Sequence, residues 1–97
     1  MQEDAAELAQ LMVTGCQILS EQGLVEGFGH LSARLPDGHI LMTPRKALGL
    51  VQPDELVTLD LEGGVIRGTR PALEVAMHLA VYGARPEVRA IARTHSR

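Results

Sequence analysis

The last quarter of the chain decides the predicted fold, and residues 71–96 read PALEVAMHLAVYGARPEVRAIARTHS. Residues 72–84 predict a helix, because apolar side chains recur every three or four positions and therefore share one face. Pro71 stands at the helix start, where its missing N–H matters least, and Gly83 and Pro86 favour termination. The predicted buried face consists of Leu73, Ala76, Met77, Ala80, Val81 and Ala84.

The helix is followed by a segment that is typical of a strand. Residues 88–94 contain Val, Ile and Thr in an alternating pattern, which predicts a short and mostly buried strand. On the helix, Glu74 and His78 are one turn apart and point to the same side. Together with His95 after the strand, they could build a metal or acid/base site. The alternative is a half-buried or solvated Glu–His pair without a functional role.

The upstream chain predicts one more helix and two hairpins. Residues 3–21 form an amphipathic helix that covers a sheet, and residues 31–35 pair with 39–43 across a turn. Residues 56–61 pair with 65–67 across a second turn. Helical or turn conformation is expected near 47–50 and 53–55. The apolar face of the first helix comprises Leu8, Leu11, Met12, Cys16, Ile18 and Leu19.

This order of elements (helix, hairpin, hairpin, helix, strand) predicts an α/β fold. We expect a three-layer α/β/α sandwich with a largely antiparallel central sheet. The length allows a single domain over residues 1–97.

Composition excludes several function classes. The formal charge of −3 and the lack of a basic stripe argue against nucleic-acid binding. No apolar run approaches the roughly 20 residues of a membrane span, and the acidic N-terminus is unlike a signal peptide. Cys16 is the one cysteine, so we expect a buried free thiol and a cytoplasmic protein.

Several motifs resemble the class II aldolase/adducin family. The C-terminal pattern includes Glu74, His78, Tyr82, Arg85-Pro86 and Thr94-His95-Ser96. Upstream, GFGHLSARLPDGHILMTPR and DELVTLDLEGGVIRG are similar to two further family motifs, in the same order. The resemblance covers about residue 23 to residue 96 and implies the family's fold and its metal-dependent carbon–carbon lyase chemistry. It also implies that residues 1–97 correspond to the N-terminal part of the family's domain, which we expect to continue beyond the present C-terminus.

The resemblance also implies site residues. In this family three histidines hold a divalent metal, usually zinc, which stabilises an enediolate, and a helix Glu moves the proton. Glu74 matches the acid/base and His95 one metal ligand, with zinc expected and manganese as the alternative metal. Arg93 stands at another ligand position, where a guanidinium cannot donate a lone pair. His78 either packs the helix, as in the family, or replaces a ligand.

The family's phosphate-binding loops correspond to substrate-binding candidates in this chain. These are Gly29, His30, Thr43 and Arg45, of which His30 stands where the family has Asn. Arg45 would attract an anionic substrate, and the alternative is a solvated loop cation. His30 would meet a substrate carboxylate, as in family members that act on non-phosphorylated substrates, or have no role.

Four functions stay open at this point. The first is a metal-dependent aldehyde-lyase that cleaves a sugar-type substrate. The second is a metal-dependent decarboxylase of a non-phosphorylated carboxylate. The third is a non-catalytic, adducin-like assembly protein, and the fourth is an unrelated binding module. The resemblance implies a homo-oligomer, a tetramer with sites at subunit interfaces, and a small-molecule substrate such as a sugar or hydroxy-carboxylate.

Overall fold

A five-stranded antiparallel sheet lies between two helices in the computed structural model, which describes residues 2–21, 29–68, 70–71 and 75–93. The helices are α1 (Gln2–Glu21) and α2 (Val75–Ala84). The strands are β1 (His30–Arg34), β2 (Ile40–Met42), β3 (Val57–Leu59), β4 (Val65–Arg67) and β5 (Ala90–Arg93). Short 3-10 turns occur at Leu48–Leu50 and Pro53–Glu55. Within these ranges, no helix has both the length and the apolar composition that crossing a bilayer requires.

The strands are arranged in the order β4-β3-β2-β1-β5, and every neighbouring pair is antiparallel. The two predicted hairpins are β1–β2 and β3–β4, and β5 returns to the free side of β1. Ser32 lies opposite Met42 on one side and opposite Ile91 on the other. Since cross-strand partners point to the same face, the register determines which side chains meet each helix. The predicted three-layer fold is confirmed.

The first turn shows why the sequence folds locally as predicted. Gly38 has a φ of 94°, a conformation that glycine adopts without steric cost. The Asp37 carboxylate accepts a hydrogen bond from the His39 backbone N–H at 3.0 Å. β2 and β3 are shorter than the predicted strands 39–43 and 56–61, and β3 ends where Asp60 begins the turn to β4.

The face of the sheet that packs against α1 is apolar. Cys16 is fully buried at its centre, so the predicted buried free thiol is confirmed. Burial raises the pKa of the Cys16 thiol from 9.0 to about 11. The buried members of this cluster, which we call the α1 face, are Met12, Val13, Cys16, Ala33, Leu35, Leu41, Leu48, Val51 and Leu56.

Two residues of the predicted apolar face of α1 are exposed instead. Leu11 is 68% exposed and Ile18 is 52% exposed. They are about two helical turns apart, so they share a side of α1 that does not contact the sheet. The sheet covers a narrower stripe of α1 than the apolar sequence pattern predicted.

The other face packs against α2, and its buried helix residues differ from the prediction. His78 and Tyr82 are the buried residues of α2, whereas Ala76, Ala80 and Ala84 are exposed. The helix is therefore rotated relative to the predicted face, because the polar atoms of His78 and Tyr82 find partners on the sheet. Leu73 lies outside the described residues. The apolar part of this second cluster, the α2 face, comprises Ile40, Met42, Val57, Leu59 and Tyr82.

β5 is also more exposed than predicted. Of its four residues, Ile91 is half-buried and packs against the α2 face, while the other three are exposed. Among the described residues β5 pairs with β1 alone, so its other edge is uncovered. The expectation of a mostly buried strand was therefore wrong.

Candidate functional site

Residues from four segments of the chain meet at one end of the sheet. His30 begins β1 and lies opposite Arg93, the last residue of β5. Pro44 follows β2 and forms an isolated bridge with Pro71, which precedes α2 in the sequence. This convergence follows from antiparallel pairing, because the start of β1 lies beside the ends of both β2 and β5.

A chain of buried polar side chains extends from this end beneath α2. His30 Nδ1 lies 2.5 Å from His78 Nε2, and His78 Nδ1 lies 2.5 Å from Ser32 Oγ. Ser32 Oγ lies 2.8 Å from the Tyr82 hydroxyl. All four residues are buried. Because buried polar groups are costly unless they are hydrogen-bonded, these contacts fix the orientation of both imidazole rings. We call this group the His–Ser–Tyr chain.

Arg34 holds the Tyr82 end of the chain in place. Its guanidinium lies 5.0 Å from the centre of the Tyr82 ring, a cation–π distance. The same group donates to the backbone carbonyl oxygens of Tyr82 at 2.9 Å and Val88 at 3.1 Å. Burial raises the pKa of the Tyr82 phenol, so the neutral hydroxyl is the form present at neutral pH. Arg34 thereby ties β1 to the end of α2.

Of the predicted substrate-binding residues, His30 has the most defined surroundings. It was expected in a loop, but it begins β1 and is 3% exposed. Its contact with His78 could not be foreseen from spacing, because the two residues are far apart in the sequence. Ser32 and Tyr82 were not predicted as site residues. Both residues stand within the family motifs, and this was the signal that pointed to them. The sequence does not give the role of either residue.

Gly29 and Thr43 are both buried beside His30. The Thr43 hydroxyl oxygen accepts a hydrogen bond from the Leu31 backbone N–H at 3.1 Å, and the Thr43 N–H donates to the Leu31 carbonyl oxygen at 3.0 Å. Thr43 therefore fixes the loop after β2 to the start of β1. Its predicted role in substrate binding stays a prediction.

Arg45 lies in an open cleft next to this end of the sheet. Lys46 in the same cleft is paired with the Glu55 carboxylate at 2.6 Å, and this hydrogen bond lowers the pKa of Glu55. Within the described part of the chain, Arg45 and Arg70 form no ion pair. The positive charge that the cleft offers to an anionic ligand therefore comes from these two side chains. The cleft has a volume of about 550 Å³ and is lined by Pro44, Arg45, Lys46, Asp54, Glu55, Gly68 and Arg70.

The described residues do not form a metal site. No group of three His, Cys, Asp or Glu side chains converges in residues 2–21, 29–68, 70–71 and 75–93. Both ring nitrogens of His78 contact other side chains, so His78 does not replace a missing ligand. Arg93 extends its guanidinium to 3.5 Å from Met77 Sδ. Glu74 and His95, the predicted acid/base and metal ligand, lie outside the described residues.

Comparison with known proteins places the chain in a family. The family described as Class II Aldolase and Adducin N-terminal domain matches residues 10–97. The 3-oxo-tetronate 4-phosphate decarboxylase of Haemophilus influenzae is 42% identical over 94 residues, which cover 93% of this chain and 45% of that protein. The L-fuculose phosphate aldolase of Methanococcus vannielii is 32% identical over 82 residues, which cover 84% of this chain and 45% of that protein. The chain spans less than half the length of these relatives.

Solved structures agree with the sequence comparison. YgbL from Klebsiella pneumoniae superimposes with a TM-score of 0.93 at 38% identity, over 96% of this chain and 46% of that chain. An L-fuculose 1-phosphate aldolase superimposes with a TM-score of 0.86 at 28% identity, over 93% of this chain and 44% of that chain. The resemblance inferred from the motifs is confirmed, and the protein belongs to the class II aldolase and adducin family.

Proposed function

We propose that this chain forms part of the active site of a metal-dependent carbon–carbon lyase. The observation that carries the proposal is the convergence of four segments of the chain at one end of the sheet. His30 lies opposite Arg93 and contacts His78, and Pro44 bridges Pro71. Side chains that are distant in sequence but gathered beside a charged cleft are the usual setting of an active site.

The substrate class follows from the cleft and the relatives' names. The two curated relatives are named for 3-oxo-tetronate 4-phosphate and L-fuculose phosphate, both of which carry a phosphate group. Arg45 and Arg70 line a cleft where a dianionic phosphate would find compensating charge. We therefore propose a small phosphorylated ketone as the substrate, which fits the sugar-type substrate expected first and not the alternative of a non-phosphorylated carboxylate.

Aldol cleavage is the first reaction to consider. The carbon–carbon bond one carbon away from the ketone breaks, and its electron pair moves onto the ketone oxygen to give an enediolate. The hydroxyl on the departing carbon gives its proton to water, and that carbon leaves as an aldehyde. Glu74 is the proposed group that returns a proton to the enediolate carbon. One proton is released from the hydroxyl and one is returned to the carbon, so the overall reaction neither gains nor loses a proton.

Decarboxylation of a phosphorylated 3-oxo acid is the second candidate. The relative with 42% identity is named as such a decarboxylase, which favours this reaction. Carbon dioxide departs in place of the aldehyde, and the electron pair forms the same type of enediolate. One site that stabilises this species would therefore serve both reactions. His30 is the proposed contact for the substrate carboxylate.

The proposal includes a divalent metal, zinc or manganese, with His95 as the ligand from this chain. Such an ion polarises carbonyl and hydroxyl oxygens and stabilises the negative charge that develops on them. The described residues do not themselves form this site. We also propose a cytoplasmic homo-oligomer, a tetramer, in line with the sequence-based expectation.

Product analysis tests the proposed function directly. Purified protein supplied with zinc or manganese is incubated separately with 3-oxo-tetronate 4-phosphate and with L-fuculose 1-phosphate. We expect the release of carbon dioxide or of an aldehyde, and at least a hundredfold loss of turnover in Glu74→Gln. Glu87→Gln is the matched control, because Glu87 is exposed and paired with Arg85 away from the cleft.

The result also separates the enzyme from the assembly protein. Turnover that is unchanged in Glu74→Gln would overturn the proposed acid/base. A metal-loaded, oligomeric protein that releases neither product would overturn the lyase and favour a non-catalytic, adducin-like role.

A further inference from the structure

Two arginines face each other across the cleft beside the site. Arg45 and Arg70 are exposed and, among the described residues, have no acidic partner. The antiparallel bridge between Pro44 and Pro71 places Arg45 opposite Arg70, since the residue after one proline faces the residue before the other. Like charges directly opposite each other repel. An anion bound between the two guanidinium groups would remove this repulsion.

Lys46, the other cation that lines the cleft, is already engaged. Its Nζ donates to both carboxylate oxygens of Glu55, at 2.6 and 2.9 Å. The same carboxylate accepts a hydrogen bond from the Gln52 backbone N–H at 2.9 Å. The bonds from Lys46 and Gln52 lower the pKa of Glu55, so this carboxylate is ionised at neutral pH. The charge of Lys46 is therefore compensated within the protein.

The backbone fixes the Lys46–Glu55 pair in the wall of the cleft. Leu56, the residue after Glu55, is buried in the α1 face, so an anchored segment carries the carboxylate. Gly68 lies directly against this segment, since a Cβ at Gly68 would lie 3.1 Å from the Leu56 carbonyl oxygen. Its φ of 98° is a second reason for glycine at this position. This close approach brings Arg70 and the Lys46–Glu55 pair to the same cleft.

We infer that Glu55 is a positioning residue that withholds Lys46 from the ligand, so that the cleft is matched to a single phosphate monoester. The two uncompensated arginines, Arg45 and Arg70, neutralise a dianion without further help. An anion of higher charge, such as a diphosphate, finds no third available cation and meets the carboxylates of Asp54 and Glu55 instead. The identity of the substrate rests on the proposed lyase function, whereas anion binding by the cleft is measured without turnover.

Binding of inorganic phosphate and of pyrophosphate tests this inference. Isothermal titration calorimetry of the full chain at pH 8 gives both dissociation constants, and their ratio is the preference for one anion over the other. The buffer contains no divalent metal, because pyrophosphate chelates such ions. At this pH phosphate is mainly a dianion and pyrophosphate mainly a trianion. We expect the wild type to bind phosphate, and absence of binding would overturn the anion site.

Glu55→Gln tests whether the carboxylate withholds Lys46. Glutamine keeps an acceptor for the Gln52 N–H but has no charge to hold the ammonium group. We expect the preference for pyrophosphate to rise at least about fivefold, because the more highly charged anion gains most from a third cation. Asp54→Asn, the matched control, removes one charge from the same cleft without freeing Lys46 and should change the preference less than about twofold. An equal rise in both variants, or no rise in Glu55→Gln, would overturn the positioning role.

A double variant identifies Lys46 as the group that is released. Lys46→Gln in the Glu55→Gln background should return the preference to within about twofold of wild type, because the third cation is then absent. A raised preference that persists in the folded double variant would overturn the role of Lys46, and the amide NMR spectrum verifies the fold. Absence of lyase turnover in wild type would count against the proposed function alone, since the two dissociation constants still decide how the cleft selects anions.

Discussion

The two faces of the sheet bury side chains of different kinds. The α1 face consists of aliphatic residues around Cys16, and its members make no side-chain hydrogen bonds with one another. The α2 face is aliphatic beneath β2 and β3 but polar beneath β1, where the His–Ser–Tyr chain lies. Aliphatic side chains would fill the core between β1 and α2 more simply than these polar ones. Their presence at the end where the motifs converge indicates that this part of the core serves the site.

The difference has an energetic side. Each aliphatic side chain of the α1 face stabilises the fold through the apolar area that it removes from water. A buried hydrogen bond has a smaller net effect on stability, but leaving one partner unsatisfied is costly. The α1 face therefore determines most of the stability of this part of the fold. The polar end of the α2 face determines the orientation of specific atoms.

The largest effect is expected from a cavity on the α1 face. Leu48 is 1% exposed and Leu50, in the same 3-10 turn, is 62% exposed. Leu48→Ala should lower the free energy of unfolding by about 2–5 kcal/mol. Leu50→Ala, the matched control, should change it by less than about 0.5 kcal/mol. Urea unfolding of both variants measures the difference, and similar losses would contradict the assigned burial.

A smaller effect is expected from the polar chain. Ser32→Ala removes the hydroxyl that contacts both His78 Nδ1 and the Tyr82 hydroxyl, which should cost about 1–3 kcal/mol. Tyr82→Phe removes the same Ser32–Tyr82 bond, so the double variant should lose less stability than the sum of the two. Ser32→Ala and Leu48→Ala lie on opposite faces, and their losses should add within about 0.5 kcal/mol. Strong coupling across the sheet would contradict the separation of the two faces.

Alkaline pH should reveal the buried thiol. Because burial raises the pKa of Cys16 from 9.0 to about 11, the folded state holds this proton over a range where the unfolded chain has lost it. The stability from the thiol is complete below pH 9 and is lost as the pH rises towards 11. We expect a loss of roughly 1–2 kcal/mol between pH 8 and pH 10.5 that is absent in Cys16→Ala. Equal pH dependence in both proteins would show that the thiol is accessible to water.

Tyr82 provides the counterpart on the α2 face. Burial raises the pKa of its phenol above the ordinary 10.0, so its contribution is also lost at alkaline pH. Comparison of the wild type with Tyr82→Phe isolates the loss of stability that ionisation of this phenol causes. We expect this loss to begin at a higher pH than the loss caused by Cys16.

The smallest effect is expected in the cleft. The hydrogen bond from Lys46 lowers the pKa of Glu55, so the contribution of this carboxylate is present at neutral pH and is lost as the pH falls below 4.5. Since exposed ion pairs contribute little, Glu55→Gln should leave the urea midpoint at pH 7 almost unchanged. It should slightly weaken the dependence of stability on pH between 5 and 3. A large loss at pH 7 would contradict the exposed position of the pair.

The aliphatic parts of the fold were predictable from the sequence. The period of the apolar residues indicated α1, and turn residues such as Gly38 marked the first hairpin. The exact buried stripe was less predictable, because Leu11 is as apolar as Met12 but lies outside the contact with the sheet. Only the packed structure determines how much of a helix the sheet covers.

The polar end of the α2 face could not be predicted in the same way. Val75, His78, Leu79 and Tyr82 also follow helical spacing, but His and Tyr carry polar atoms that hydropathy does not assign to a core. Their burial depends on Ser32 and His30, which β1 brings beneath the helix. The family motifs predicted where the site lies, whereas these contacts required coordinates.

The most direct test compares one variant on each face by a long-range ¹⁵N–¹H NMR spectrum of the His30 and His78 imidazole rings. Val51→Ala removes aliphatic volume from the α1 face, where Val51 is fully buried, and Ser32→Ala removes one hydroxyl from the α2 face. We predict that Val51→Ala destabilises the protein while the ring nitrogen signals keep their wild-type positions, and that Ser32→Ala shifts them because it removes the hydroxyl beside His78 Nδ1. If Val51→Ala shifted these signals as much as Ser32→Ala does, the two faces would not have separate roles and the account would be wrong.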